Sequence, residues 1–177
     1  MRHVRLGRTG LPVSRLCLGT MTFGLQCDEA TSVKILDHAL DSGITFLDTA
    51  DAYPLGGGIE TAGRTEEIVG RWLQGRRHDV ILATKGFGAT SARPWDRGSS
   101  RKHLLDAIDA SLRRLRTDHV DLYQLHHPDA DTPIDLAAAP GPVPPRRYLE
   151  ARVVLQTSDP MVRPRFRDLT IVYRCEP

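Results

Sequence analysis

Apolar positions along this chain alternate between short continuous runs and longer stretches of helical period. After a polar-apolar start and a turn around Gly7 to Gly10, Val13 to Leu18 reads as a strand ending at Gly19-Thr20. Val33, Leu36, Ala39 and Leu40 then share one helical face; Asp28 is placed to cap that helix, with Glu29 in its first turn and Gly43 at its end. Ile44 to Leu47 is a second, buried strand, and Asp48-Thr49-Ala50-Asp51-Ala52-Tyr53 leaves its carboxyl end as a loop. Thr65 is the expected cap of a second helix carrying Ile68, Val69, Trp72 and Leu73 and closed by Gly75. Val80 to Thr84 forms a third strand running into Lys85. Ser99 or Ser100 opens a third helix with Leu104, Leu105, Ile108, Leu112 and Leu115 at helical spacing, and Val120 to Leu125 is a fourth strand ending at His126-His127-Pro128. Strands alternating with helices predict an α/β fold with a parallel sheet, because parallel neighbours need a crossover on the sheet face. This pattern by itself does not separate an open sheet from a closed barrel.

The rhythm stops after Leu136. Ala137-Ala138-Ala139 is followed by Pro140, Pro142, Pro144 and Pro145, which lack backbone donors and exclude the helix due at that point. Only Arg152 to Leu155 and Leu169 to Tyr173 look like strands beyond it, and neither falls in a strand-helix alternation. The expected division is therefore residues 1–139 as one unit and 140–177 as a Pro/Arg-rich tail.

Composition narrows the partners. A net charge of +2 over 177 residues gives no global electrostatic case for a nucleic-acid or membrane partner. The tail arginines lack interleaved aromatic residues for base stacking, so neither partner is expected. The amino terminus carries no signal-like apolar segment, and no run approaches the roughly 18 apolar residues of a membrane span. Cys17, Cys27 and Cys175 have neither metal-ligand nor disulfide-framework spacing, which fits a reduced compartment; a cytoplasmic protein without a metal site is expected, with Cys17 as a core thiol. Gly56-Gly57-Gly58 follows no strand and lacks the Lys-Ser/Thr of a phosphate loop, so it reads as a flexible loop.

The informative polar residues sit at strand ends. Asp48, Lys85 and His126 each close a buried apolar run, and Tyr53 lies just past the second. Alternation places Ile44, Phe46 and Asp48 on one face, as it does Ile81, Ala83 and Lys85, and Val120, Leu122, Gln124 and His126; His127 is expected to point away. Such convergence suits carbonyl reduction, in which negative charge builds on the carbonyl oxygen and must be met by a donor and then a proton. A phenol titrating at about 10 is a weak acid for that task, but an adjacent ammonium favours its ionised form. Tyr53 is the candidate acid and Lys85 the candidate ammonium. Asp48 is placed to hold Lys85 charged, and His126 to orient the substrate oxygen.

Four segments resemble the aldo-keto reductase family: Gly19-Thr20-Met21-Thr22-Phe23-Gly24, Phe46 to Tyr53, Ala83-Thr84-Lys85, and Asp121-Leu122-Tyr123-Gln124-Leu125-His126. The resemblance covers roughly residues 3 to 136. It implies a (β/α)8 barrel, here incomplete at about the first four βα units, with NADPH as hydride donor and a small-molecule aldehyde or ketone as substrate. It further implies Tyr53 as general acid with Asp48, Lys85 and His126 in support. Asp48 would also lie near the cofactor, and Gly19, Thr20 and Met21 would line its nicotinamide end. Family features of the carboxyl-terminal half are not found; Thr157-Ser158-Asp159 is the nearest approach to the Ser-Asn pair that holds the nicotinamide amide. An impaired reductase, a non-catalytic cofactor-sensing or interaction protein, and a nonfunctional fragment therefore all stay open, as do the particular substrate and the oligomeric state.

Barrels of this class use about 250 residues. Family-like residues through Asp131-Thr132-Pro133-Ile134 give way abruptly to Pro, Arg and Ala, a mixture that GC-rich DNA yields when read out of frame. The hypothesis that follows is a frame change between about Ala130 and Pro140. Resequencing the coding DNA for Asp129 to Pro145 and translating every forward frame is expected to restore strand-helix alternation and a Ser-Asn strand end. A tail that alternates in no frame sinks the idea.

Overall fold

The computed structural model describes residues 1–132, 150–154 and 168–172. The prolines from Pro140 to Pro145, Thr157-Ser158-Asp159, Cys175 and the tail arginines other than Arg152 lie outside the described residues.

The first expected strand is divided in two. β1 (His3–Arg5) and β2 (Pro12–Ser14) form an antiparallel hairpin, whereas β3 (Cys17–Gly19) starts a different sheet. Ser14 supplies the reason. Its buried hydroxyl accepts the backbone N–H groups of Thr45 and Phe46 at 3.1 Å each and donates to the Leu16 carbonyl at 2.7 Å. A side chain that satisfies backbone groups in this way competes with strand continuation and turns the chain.

The second sheet contains six strands, in the order β3, β4 (Phe46–Asp48), β5 (Ile81–Gly86), β6 (Leu122–Leu125), β7 (Glu150–Val154) and β8 (Asp168–Val172). Pairing is parallel from β3 to β7, and β8 is antiparallel to β7. The two tail strands fall within a residue or two of their expected places, outside the strand-helix alternation.

α1 (Glu29–Asp41) starts as its sequence requires, with Asp28 Oδ1 accepting the Thr31 N–H at 2.7 Å. It ends at Gly43, whose φ of +77° is a conformation open to glycine. α3 (Arg101–Leu115) is capped by Ser100, which accepts from the His103 N–H. α2 (Arg64–Trp72) corrects the sequence reading: its cap is Gly63 at φ +86°, and Thr65 lies inside the helix. The Thr65 hydroxyl donates instead to the Phe23 carbonyl, 2.7 Å away in the interior, so a contact across 42 residues displaces the local capping role.

Leu36 of α1, Ile68, Val69 and Trp72 of α2, and Ile108 and Leu115 of α3 bury against Leu47 of β4 and Leu82 of β5 in one cluster. All three helices thus cover the same face of a sheet whose strands follow chain order without reversal. That winding differs from the doubly wound arrangement, which reverses strand order at a switch point and covers both faces. Among the described residues nothing covers the opposite face: Cys17 is exposed there, which corrects its expected core position, and Phe46 and Ile81 are half-buried.

Gly70 sets how closely α2 approaches α3. A Cβ at this position would press on the Arg114 carbonyl oxygen and stand 2.7 Å from Leu115 Cα, both backbone atoms. Gly70→Ala is expected to destabilise the fold by about 1–3 kcal/mol, the usual range for overpacking a close contact, read as a lower urea midpoint with an unchanged m value.

Candidate active site

Parallel register brings the strand ends together. Gly19 pairs with Asp48, Asp48 with Ala83, Ala83 with Leu122, and Lys85 with Gln124. Asp48 is the last residue of β4, one beyond the strand expected from the sequence, and therefore projects from regular backbone on the open face.

Lys85 occupies the centre. Its Nζ donates to Asp48 Oδ2 at 2.5 Å and to the Thr49 carbonyl at 2.8 Å, and stands 3.4 Å from the Tyr53 hydroxyl. It also lies 4.9 Å from the centre of the Tyr53 ring. With both side chains partly shielded from water, the Lys85–Asp48 attraction is screened less than that of a surface pair. Gln124 Nε2 donates to the second Asp48 oxygen at 3.1 Å. Sequence reading placed Gln124 on this face without a task; its position two residues before His126 on one strand was the available signal.

Tyr53 sits on the loop after β4. Its N–H donates to the Ala50 carbonyl, and its own carbonyl accepts from the Gly63 N–H at 3.0 Å. The His126 ring meets the Tyr53 ring edge-on, with centroids 5.5 Å apart. Burial first, then the positive charge of Lys85 and the neighbouring His127, lower the His126 pKa, so its imidazole is neutral at neutral pH. His127 departs from its expected orientation. It stacks on His126 at 4.8 Å and meets Phe87 edge-on at 5.3 Å, because β6 ends at Leu125 and strand alternation no longer governs the two histidines.

The structure thus gathers Asp48, Tyr53, Lys85 and His126 at the carboxyl ends of three adjacent strands. The three residues Gly19, Thr20 and Met21 divide. Thr20 is buried and directs both its N–H and its hydroxyl to the Asp48 carbonyl at 3.0 Å, whereas Gly19 and Met21 are exposed. Among the described residues no heavy atom lies within 4 Å of where a Gly19 Cβ would stand, leaving room for a flat ring beside Asp48. The residues present fit the nicotinamide end of a dinucleotide. Among the described residues no group of His, Cys, Asp and Glu is arranged to hold a metal ion, and no helix is long and apolar enough to cross a membrane.

A profile of the Aldo/keto reductase family matches residues 15–155. The chain belongs to this family. The uncharacterized oxidoreductase YrpG of Bacillus subtilis is 51% identical over 142 residues, covering 76% of this chain and 43% of that protein. Protein tas of Escherichia coli is 42% identical over 139 residues, covering 75% of this chain and 40% of its own length. A protein of Arabidopsis thaliana named as a probable voltage-gated potassium channel subunit beta is also 42% identical over 139 residues, covering 76% of this chain and 40% of that protein. The chain therefore spans about two fifths of the length of these family members.

Asp51, between the family-like Asp48 and Tyr53, has a different fate from Asp48. It is 1% exposed, and Oδ1 finds no hydrogen-bond partner among the described residues. Burial and then the nearby Glu66 carboxylate push its pKa up to about 7, against the opposing pull of the Phe87 and Ala52 N–H groups and of Arg114. A carboxyl held above its unfolded value binds its proton more tightly in the folded chain. Its contribution to stability is therefore complete below about pH 4 and declines as pH rises to about 7. Asp51→Asn is expected to remove that decline, so that the gain in Tm over the parent grows across the same interval; a pH-independent difference in Tm would contradict it.

Proposed function

We propose that this chain is the amino-terminal part of an NADPH-dependent oxidoreductase that reduces an aldehyde or ketone to an alcohol. The observation that carries the reading is one ammonium, Lys85 Nζ, bonded to a carboxylate and set 3.4 Å from a phenol at the ends of adjacent parallel strands. On this reading, residues 1–139 are about the first four βα units of a (β/α)8 barrel, and 140–177 is a separate Pro/Arg-rich tail. NADPH, when bound, supplies the hydride that adds to the carbonyl carbon. Gly19, Met21 and Asp48 would border its nicotinamide, and Thr20 fixes the backbone between them.

As negative charge develops on the substrate oxygen, Tyr53 transfers its proton there. Lys85 stabilises the phenolate left behind, which regains a proton from solvent. Asp48 holds Lys85 in place, and Gln124 fixes the Asp48 carboxylate. His126, neutral at neutral pH, donates a hydrogen bond that orients the carbonyl.

A second reading, a non-catalytic cofactor-sensing or interaction protein on the same scaffold, draws on the relative named as a channel subunit, whose identity equals that of protein tas. NADPH consumption with a panel of aldehydes separates the two. Turnover is expected, and is expected to be lower by about 10²–10⁴-fold in Tyr53→Phe, the usual worth of a positioned proton donor. Tight NADPH binding without turnover would favour the sensor, and neither binding nor turnover would leave a nonfunctional fragment.

A further inference from the structure

The polar residues that the proposed chemistry leaves unused lie behind the site. Glu66 is fully buried, accepting from the Thr84 hydroxyl at 2.6 Å and from Arg114 Nε at 2.8 Å. Asp51 is buried near it, on the side of the chain opposite Asp48. A carboxyl in such a place, beside a second carboxylate and with an oxygen that has no hydrogen-bond partner among the described residues, costs stability. Its remaining contacts join the loop that carries Tyr53 to the loop after β5.

Those contacts form a closed circuit. Asp51 Oδ2 faces the Phe87 N–H at 3.4 Å, and the Asp51 N–H donates to the Lys85 carbonyl at 3.0 Å. The Phe87 ring meets His127 edge-on, His127 stacks on His126, and His126 meets Tyr53, two residues after Asp51. Gly88 allows the two loops this proximity: a Cβ there would stand 2.5 Å from the Ala52 Cβ and 3.4 Å from Asp51 Oδ1.

We propose that Asp51 is a positioning residue that locks the loop carrying Tyr53 to the loop after β5, closing a circuit of contacts that holds Tyr53 and His126 in their mutual geometry. The proposal rests on the reading of Tyr53 and His126 as the groups that meet the carbonyl oxygen. Glu66 from α2 and Arg114 from α3 are the charged groups facing the lock, and the backbone N–H groups of Phe87 and Ala52 complete its surroundings. Because Asn retains a carbonyl oxygen for the Phe87 N–H and removes only the charge, it preserves the lock, whereas Ala opens it.

The test uses the full chain with isotope-labelled histidine, the His126 ring signal being assigned by its loss in His126→Gln. Asp51→Ala is expected to move the ring resonances of His126 and His127, neither of which Asp51 touches, while amide-exchange protection of α1 and α3 stays at the parent level. Asp51→Asn is expected to restore both resonances. In turnover, Asp51→Ala is expected to lower kcat by about 10²-fold with KM nearly unchanged, as for a misplaced reacting group, and Asp51→Asn to recover most of it. Unmoved histidine resonances in Asp51→Ala, or displaced ones in Asp51→Asn, would overturn the lock. If Asp51→Ala does not fold, Gly88→Ala retains the carboxyl but forces the loops apart; it is expected to displace the same resonances, and their staying in place would equally overturn the proposal. Resonances displaced in Asp51→Ala and restored in Asp51→Asn, with a parent chain that turns over no aldehyde, would uphold the lock and sink the reductase reading instead.

Discussion

Parallel pairing in a single register is the constraint on which the site depends. Cys17, Phe46 and Ile81 lie level with one another, as do Gly19, Asp48 and Ala83, so Asp48 at the end of β4 stands beside the stretch of β5 that carries Lys85 two residues further on. Leu47 and Leu82, on the other face, are buried beneath the helices. A slip of one residue in β5 would turn Leu82 out of that core and send Lys85 into it. The apolar packing that excludes the slip is therefore also what delivers the Lys85 ammonium to Asp48. Catalytic geometry and core packing are two consequences of one pleat.

Asp48 and Asp51 show how three residues change the meaning of a carboxylate. Asp48 ends a strand on the open face, where Lys85 and Gln124 satisfy its oxygens. Asp51 follows in the loop, is enclosed, and meets Glu66 rather than a cation of its own. Burial and repulsion favour the neutral form of the second. The site thus has a charged front, where substrate chemistry is placed, and a buried back, where loop position is set.

The helices share this division of labour. α2 begins just past the Tyr53 loop, with Gly63 donating to the Tyr53 carbonyl, and it carries both the apolar residues of the core and the buried Glu66. α3 supplies Arg114 to Glu66 from its last turn. Tyr53 is consequently tied to the hydrophobic interior at two levels, through the backbone of the α2 cap and through the ion pair behind Asp51. Anchoring of this kind confines a loop residue nearly as firmly as one on a strand.

The sequence by itself determined most of the elements and the set of converging residues. Periods of 3.6 and 2 are written locally, and Asp28, Ser100 and Gly43 mark helix ends through contacts within a few residues. Alternation alone put Asp48, Lys85 and Gln124 on one face. Tertiary structure decided what local pattern does not encode. The Ser14 hydroxyl broke one expected strand into two by reaching Thr45 and Phe46; Thr65 gave up a capping role for Phe23; and the end of β6 left His127 free to stack on His126. Asp51 has its pKa pushed up to about 7 by burial first and then by Glu66, which α2 brings behind it. In each case the deciding partner is distant along the chain or released from strand geometry, and its influence exists only once packing has removed the water between the two.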